Sequence, residues 1–477
     1  MKLANLFENY AHKPADAIVP LAQSGSNRRY FRITADGESC IGVEGVSLDE
    51  NRAFITLAEH FAEQGLPVPR VLAKSPDLMC YLQDDLGTIS LFDAIAEGRA
   101  TGHFSEQEKA LLRRTIVLLP KLQFAGAERL DFNLCYPQPR FDERTVMFDL
   151  NYFKYCFLKP SGLEFDEMEL QDDFERLQRA LLAEDFSTFM HRDFQARNVM
   201  LKNGEEPYFI DFQTGRCGPI YYDVASFLWQ AKANYPDELR RELIGVYLVH
   251  LADYQQVDKS HFLERLRLFV LFRTLQVLGA YGFRGMVERK AHFLQSVPFA
   301  MDNLRALLQQ PFDECPYLCK ILAELAAMPR WNERYAPAKG RLTVRIFSFS
   351  YKKGVPDDLS GNGGGYVFDC RAVHNPGRYA EYRNSTGMDA DVIEFLERDG
   401  EILTFMQSIY ALADAHVARY LERGFTDLMF SFGCTGGQHR SVYAAEHLAS
   451  HLAEKFDIDI VVCHRERGTT KKLTIDN

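Results

Sequence analysis

The sequence predicts an α+β chain of more than one domain: a small β-rich lobe, a mostly helical lobe, and a separate α/β domain at the C-terminus. Three observations carry this. Residues 20–88 alternate and punctuate like short strands around one helical stretch, residues 89–328 are dominated by helical periodicity, and strand patterns return after a Pro/Gly break at 328–340. A chain of 477 residues exceeds one hydrophobic core.

In the first lobe, LAQSGSNRRYFRI and ESCIGVEG read as strands around a tight turn. DENRAFITLAEHFAEQG follows, with Phe54, Leu57, Ala58 and Phe61 at helical spacing, Asp49 able to cap the start and Gly65 closing the end. LPVPRVLA and LMCYLQDDLG read as further strands. The helical lobe is interrupted over 190–216 by strands and loops. PRWNERYAPAKG reads as a linker over 329–340, which gives domains at 1–328, with lobes 1–88 and 89–328, and at 341–477. In the last domain RLTVRIFSFSY, YVFDCRAV, DLMFSFG and DIDIVVCH read as strands, with helical patterns at about 390–423 and 441–455.

Composition excludes several classes. Hydrophobic residues make up 47% and charged residues 25%, an ordinary globular balance. No uninterrupted apolar run approaches the ~18 residues of a membrane helix, and the N-terminal MKLANLFENYAHKPAD acquires charge too early for a signal peptide. A net charge of −11 argues against a chain coated for nucleic acid. The ten cysteines are scattered, with only Cys315 and Cys319 close together, as expected of reduced thiols in a cytoplasm.

HRDFQARNVM at 191–200 fits His-x-Asp-x4-Asn, and YFIDFQTGRCGP supplies Asp211 at the end of an apolar strand, 18 residues after Asp193. Phosphoryl transfer needs this set: a carboxylate to receive or orient the attacking hydroxyl, and an Asn and a second Asp for the magnesium that bridges the phosphates. Asp193 takes the first role; Asn198 and Asp211 take the second, as oxygen ligands for a hard cation. His191 is expected to fix the loop backbone at the catalytic position. ATP and Mg²⁺ are the cofactors this implies.

Residues 1 to about 330 resemble the aminoglycoside/choline kinase superfamily, a bilobal fold akin to protein kinases. HRDFQARN, IDFQTGRCGP and YYDVASFL look most like the bacterial amino-sugar kinases that phosphorylate N-acetylmuramate and N-acetylglucosamine, a group that also has Gln at position 213. SNRRYFRI resembles that group's nucleotide-loop strand, which implies nucleotide contacts at Ser24, Gly25, Ser26 and Arg32. One departure stands out: IGVEG at 41–45 has no lysine where protein kinases pair the phosphates. Arg32 is the candidate replacement, Glu50 the counterpart of the kinase helix glutamate, with Glu59 second. Asp223 is expected to cap the helix DVASFL and brace the metal loop, Asp84 and Asp85 to lie at the hinge, and Phe148, Tyr152 and Phe153 to line a sugar pocket or form plain core. Without the lysine, a degenerate kinase acting as a metabolite- or RNA-binding adapter stays open beside the sugar kinase.

SFGCTGGQHRS at 431–441 follows an apolar strand and precedes a helical pattern. Gly433, Gly436 and Gly437 allow a tight turn that aims N–H groups at an anion, with Thr435, His439 and Arg440 as further donors. Cys434 and Arg440 also satisfy Cys-x5-Arg, the loop in which a thiolate attacks phosphate. Residues 341 to about 467 resemble the C-terminal domain of RapZ-type RNase adapter proteins, through FSFSYKKGVP, YVFDCRAVHNP, TGMD, GCTGGQHRS and VVCHRE. That resemblance implies a sensor of glucosamine-6-phosphate, with Cys434, Thr435, Gly436, Gly437, His439 and Arg440 around the phosphate and Asp369 and Arg371 facing it. Gly377 departs from the family, which often has a His there. RNA binding is not favoured, because the chain from Lys339 onward carries 17 Lys+Arg against 19 Asp+Glu.

Overall fold

The computed structural model describes residues 2–21, 28–184, 186–332, 340–362 and 364–473. They form two compact units, one of residues 1–155, 165–279 and 302–323, the other of 156–164, 280–301 and 324–477.

The first unit opens with helix α1 (Lys2–Ala11), strands β1 (Ala17–Pro20), β2 (Arg29–Ala35) and β3 (Glu38–Glu44), helix α2 (Leu48–Glu63), and strands β4 (Val71–Lys74) and β5 (Cys80–Asp84). The strands make one antiparallel sheet in the order β1-β2-β3-β5-β4. The β2–β3 turn is Asp36-Gly37, both with positive φ (53° and 80°), as a two-residue hairpin requires. Register sorts the faces. Phe31 pairs with Gly42 and Ile33 with Cys40, and these point at Leu3 and Phe7 of α1. α1 lies so close that a Cβ on Gly42 would meet Ile33 at 2.8 Å and Leu3 at 3.1 Å. The opposite face carries Tyr30 opposite Val43, and Arg32 opposite Ile41; Arg28, two residues before Tyr30, continues this face.

α2 starts at Ser47, whose Oγ accepts the Glu50 N–H at 3.4 Å. Asp49 therefore sits in the first turn rather than at the cap; the earlier residue has the extended backbone a cap needs. Gly65 closes the end with φ 64°. Phe54, Leu57, Ala58 and Phe61 are all buried, worth roughly 1.5–3 kcal/mol for each large side chain. Phe54 stacks on Tyr81 (5.1 Å) and on Phe212 (4.9 Å), which ties α2 to both the sheet and the loop after Asp211.

The rest of this unit is mainly helical. Within it, strands β6 (Thr188–Met190) and β9 (Arg216–Gly218) pair, as do β7 (Val199–Lys202) and β8 (Glu206–Phe209). The helix Ile220–Leu228 has every residue buried. One helical stretch, Lys259–Val287, is long and apolar enough to cross a membrane, but 67% of its most apolar window is buried inside the protein, as in a core helix.

In the second unit, strands β10 (Thr343–Ser350), β11 (Tyr366–Asp369), β12 (Asp427–Cys434), β13 (Asp459–His464) and β14 (Thr469–Leu473) form one sheet in the order β11-β12-β10-β13-β14. All neighbours are parallel except β13–β14. The single helical pattern at 390–423 is two helices, Ala390–Glu397 and Glu401–Glu422, broken where Gly400 takes φ 73°. Residues 156–164 and 280–301 join this unit. Trp331, inside the expected linker, is buried against Phe157 at 5.1 Å, Arg330 donates to the Ser161 carbonyl (2.7 Å), and Gln295 donates to the Leu359 carbonyl (2.7 Å).

Candidate active site and anion pocket

The stretch His191–Arg192–Asp193 follows β6 directly. Its backbone is held by Asp223, whose two carboxylate oxygens accept the His191 N–H (2.7 Å) and the Arg192 N–H (2.9 Å). Asp223 is thus not the cap of the helix Ile220–Leu228, which begins at Pro219; it sits in the first turn and reaches across to the loop. Burial pushes its carboxyl up to about 7. His191 is fully buried, donates from Nε2 to the Ile210 carbonyl (3.1 Å) and is pushed down to about 4 by burial. Its ring thereby joins the loop of Asp193 to the strand end before Asp211.

Asn198 ends a short 3₁₀ turn. Its Nδ2 donates to Asp193 Oδ2 and to the Asp193 carbonyl, each at 2.9 Å. Ile210 donates to the Asn198 carbonyl (3.0 Å), which brings Asp211 beside Asn198 at the ends of β7 and β8. Asp211 and Arg192 both hold positive φ (65° and 79°), the kind of backbone cost that persists where neighbours over-determine it. Arg192 is paired with Asp149 at 2.9 Å. Burial raises the Asp211 carboxyl, and the nearby Asp193 charge raises it further. Gln213 Nε2 donates to Asp211 Oδ1 (2.7 Å), while the buried Gln213 Oε1 has no hydrogen-bond partner among the described residues. Among the described residues there is no cluster of three or more His, Cys, Asp or Glu able to hold a metal. Magnesium ordinarily takes one or two protein carboxylates and completes its shell with phosphates and water. Asp211 and the Asn198 amide oxygen fit that habit.

Arg273 was not singled out by the sequence. It lies on the helix Lys259–Gly282 and places Nη2 2.7 Å from Asp193 Oδ1, with Nε 3.1 Å from Ser226 Oγ. The available signal was a lone cation in the apolar run LFVLFRTLQVL, because a buried arginine needs an acid.

On the small lobe, Arg32 differs from expectation. It is taken by Asp85 (2.6 and 3.0 Å) and the Gly87 carbonyl (3.1 Å), and Ser39 bonds the same Asp85. The acid opposite it lies just after β5, not in the loop of Asp211. Asp84 is paired with Arg70. The arginine near Asp211 is Arg28, whose Nη2 lies 3.3 Å from Glu50 Oε1. Glu59 is instead paired with Lys74. Ser24, Gly25 and Ser26 lie outside the described residues. Phe153 is core, whereas Phe148 is 68% exposed and stacks on Tyr152 at 6.2 Å, next to Asp149 in sequence.

In the second unit, β12 ends at Cys434 and the helix Arg440–Lys455 begins after a tight loop. A cavity of about 540 Å³ lies at the carboxyl ends of β10, β12 and β13, lined by Thr435, Gly436, Gly437 and Gln438 with Lys352, Lys353, Arg467 and Glu466, the last paired with Lys353 at 2.9 Å. Ligands of open α/β sheets bind at such strand ends. The two lysines lie in the quoted FSFSYKKGVP stretch but were not read as donors. Cys434 is buried behind the loop. Burial raises its thiol, but bonds from Ser441 Oγ (3.2 Å) and the Gly437 N–H (3.1 Å), with the Arg440 charge, outweigh this and lower it. Arg440 is also behind the loop, 3% exposed, with Nη1 on the carbonyls of Arg371 (2.9 Å) and Val373 (2.8 Å). His439 bonds the Tyr382 carbonyl (2.8 Å). Asp369 and Arg371 pair with each other (2.7 Å). Of the expected phosphate residues, Thr435, Gly436 and Gly437 line the cavity; Cys434, His439, Arg440, Asp369 and Arg371 are not among its lining residues.

Comparison with known proteins follows this division. Residues 342–468 match the RapZ C-terminal domain. Nucleotide-binding proteins of Xylella fastidiosa (strain 9a5c) and Xanthomonas campestris pv. campestris (strain 8004) are each 36% identical, over 126 and 127 residues. Those alignments cover 26% and 27% of this chain, and the chain spans only 42% and 43% of the relatives' length. Among solved structures, the streptomycin–ATP–APH(2″)-IIa ternary complex is 14% identical with a TM-score of 0.44, covering 67% of this chain and 98% of that one. Choline kinase LicA from Streptococcus pneumoniae is 10% identical with a TM-score of 0.42, covering 65% and 100%. Residues 17–259, which hold Asp193, Asn198 and Asp211, match the phosphotransferase enzyme family. The chain belongs to that family, with a RapZ-type C-terminal domain fused behind it.

Proposed function

We propose that the protein is an ATP- and magnesium-dependent kinase that phosphorylates a hydroxyl of a small amino sugar of the N-acetylmuramate or N-acetylglucosamine kind. The observation that carries this is the convergence of Asp193, Asn198 and Asp211 at two strand ends. Asp211 and Asn198 would hold the metal nucleotide, which when bound supplies the phosphoryl group and neutralises its charge. Asp193 accepts the proton of the acceptor hydroxyl, and Arg273 and Asn198 hold its carboxylate in one orientation for that transfer. The stacked pair Phe148 and Tyr152 offers an apolar face to a sugar ring. The C-terminal cavity would take a phosphorylated amino sugar, its phosphate on the backbone of Thr435–Gly437 and on Lys352 and Lys353.

The amino-sugar assignment draws on the resemblance of HRDFQARN and IDFQTGRCGP and on the RapZ-type domain, both of which point to amino-sugar metabolism. The experiment is ATP consumption by the full chain against N-acetylmuramate, N-acetylglucosamine, choline and an aminoglycoside. Turnover confined to the amino sugars is the expected result. Turnover with choline alone would overturn the substrate class. No turnover with any acceptor would favour the adapter reading, for which the apolar Ile41 and Val43 on the lysine strand already speak.

A further inference from the structure

The strand that carries the phosphate-pairing lysine in protein kinases offers no cation to the α2 side of the sheet, only Ser39, Ile41 and Val43. The neighbouring strand does better. Arg28, Tyr30 and Arg32 share that side, and Arg32 is already committed to Asp85. Arg28 turns instead to α2. Its side chain is only 1% exposed, its Nη2 lies 3.3 Å from Glu50 Oε1 and 3.1 Å from the Glu50 carbonyl, and its guanidinium stands 5.6 Å from the centre of the Phe54 ring. A guanidinium so enclosed does not open to solvent. It acts on what it holds.

What it holds leads to the metal loop. Gln213 Nε2 donates to Glu50 Oε1 at 3.4 Å and to Asp211 Oδ1 at 2.7 Å. The groups form a chain: guanidinium, carboxylate, amide, carboxylate. Gln213 is 5% exposed, so no solvent competes for its amide. Glu50 has one oxygen between Arg28 and Gln213 and is thereby pinned from both sides. The Phe54–Phe212 stack at 4.9 Å fixes the same helix to the same loop by packing.

We infer that Arg28 does the missing lysine's structural work from the entry to the neighbouring strand: it fixes Glu50, which with Gln213 sets the Asp211 carboxylate in the orientation that a magnesium nucleotide requires. Arg28 is a positioning residue. The inference rests on the kinase reading but not on the identity of the sugar. It predicts that the pairing of a cation with the helix glutamate survives in this chain by moving one strand over, and that its loss is felt in metal affinity rather than in contacts to the nucleotide itself.

The test is calorimetric titration of the full chain with a non-hydrolysable ATP analogue, with magnesium and with EDTA. Arg28→Met and Gln213→Leu are each expected to lower affinity for the magnesium complex by ~10–100-fold, the usual cost of losing an outer partner of a metal ligand. Metal-free affinity should stay within about twofold, and Arg28→Lys should recover part of the loss, since the ammonium keeps the charge but not the planar guanidinium that reaches both Glu50 Oε1 and the Glu50 carbonyl. If Arg28→Met fails to fold, Glu50→Gln makes the same comparison. Unchanged magnesium-dependent affinity in the variants overturns the inference alone. An equal fall with and without metal also overturns it, by making Arg28 a direct phosphate ligand. A wild-type chain that binds no magnesium nucleotide removes the kinase reading first, and this inference with it.

Discussion

Arg273 holds Asp193 from a helix 80 residues away in sequence, Nη2 to Oδ1 at 2.7 Å. The guanidinium is 8% exposed and the carboxylate 37%, so the pair is half sheltered from water. Replacing the arginine frees Asp193 to turn toward Asn198 and Gln195, its other partners. Arg273→Met is expected to lower turnover on the order of 10²-fold, the scale of a misplaced reacting group. The KM for ATP should change far less. Steady-state kinetics with both substrates varied will show this; a change confined to the ATP constant would remove Arg273 from the acceptor side.

Asp193→Ala and Asp211→Ala are each expected to reduce phosphoryl transfer by at least ~10²-fold. Both variants should keep the far-ultraviolet spectrum and the denaturation midpoint of the parent within error. Near-parental turnover in either would remove that residue from the catalytic set.

His191 supplies a pH prediction. Burial holds its folded-state pKa near 4 against an ordinary 6.5, so the folded chain favours the neutral ring. The stability this contributes is complete above pH 6.5 and is lost as pH falls toward 4, a span worth roughly 3 kcal/mol. His191→Gln should be less stable at neutral pH yet lose less on acidification. Chemical denaturation midpoints at pH 7 and pH 5, compared between the two chains, measure the difference. Equal slopes with pH would exclude His191 as its source.

In the C-terminal domain, Arg440 and the two lysines are expected to behave oppositely. Arg440→Ala strips the Arg371 and Val373 carbonyls of their buried donor, at about 1–3 kcal/mol for each group left unpaired, and should lower the melting temperature. Lys352→Ala and Lys353→Ala remove exposed cations at the cavity mouth. Both should weaken glucosamine-6-phosphate binding on the order of tenfold; Lys352→Ala should leave melting unchanged, whereas Lys353→Ala also strips Glu466 of its partner at 2.9 Å. Calorimetry and thermal melts on the full chain separate the two effects. Cys434→Ser should leave phosphoryl transfer by the N-terminal domain intact.

Much of the site could be read from the chain because its parts are close in sequence. Asp193, Asn198 and Asp211 fall within one short span and sit at strand ends that pair locally, Val199 with Phe209. Their chemistry dictates residue type, and residue type is visible. Glycines at 436 and 437 likewise announce a tight loop before a helix. Arg273 was hidden for the opposite reason, since nothing local marks which acid a helix arginine will meet.

The sequence by itself determined the phosphotransferase-family motif, the separate C-terminal α/β domain and its glycine loop, whereas the joining of 156–164 and 280–301 to the second unit came only from the structure. Only the tertiary structure decided which arginine serves which acid. Arg28, just before β2, and Arg32 within it fall on one face by strand alternation, so no pattern in the chain distinguishes them. The difference lies in what packs opposite: Glu50 of α2 meets Arg28, and Asp85 after β5 meets Arg32. Arg440 followed the same logic, drawn behind its loop by carbonyls about 70 residues upstream. A charged side chain ends where burial leaves it a partner, and that partner is chosen by packing across the fold rather than by its neighbours in sequence.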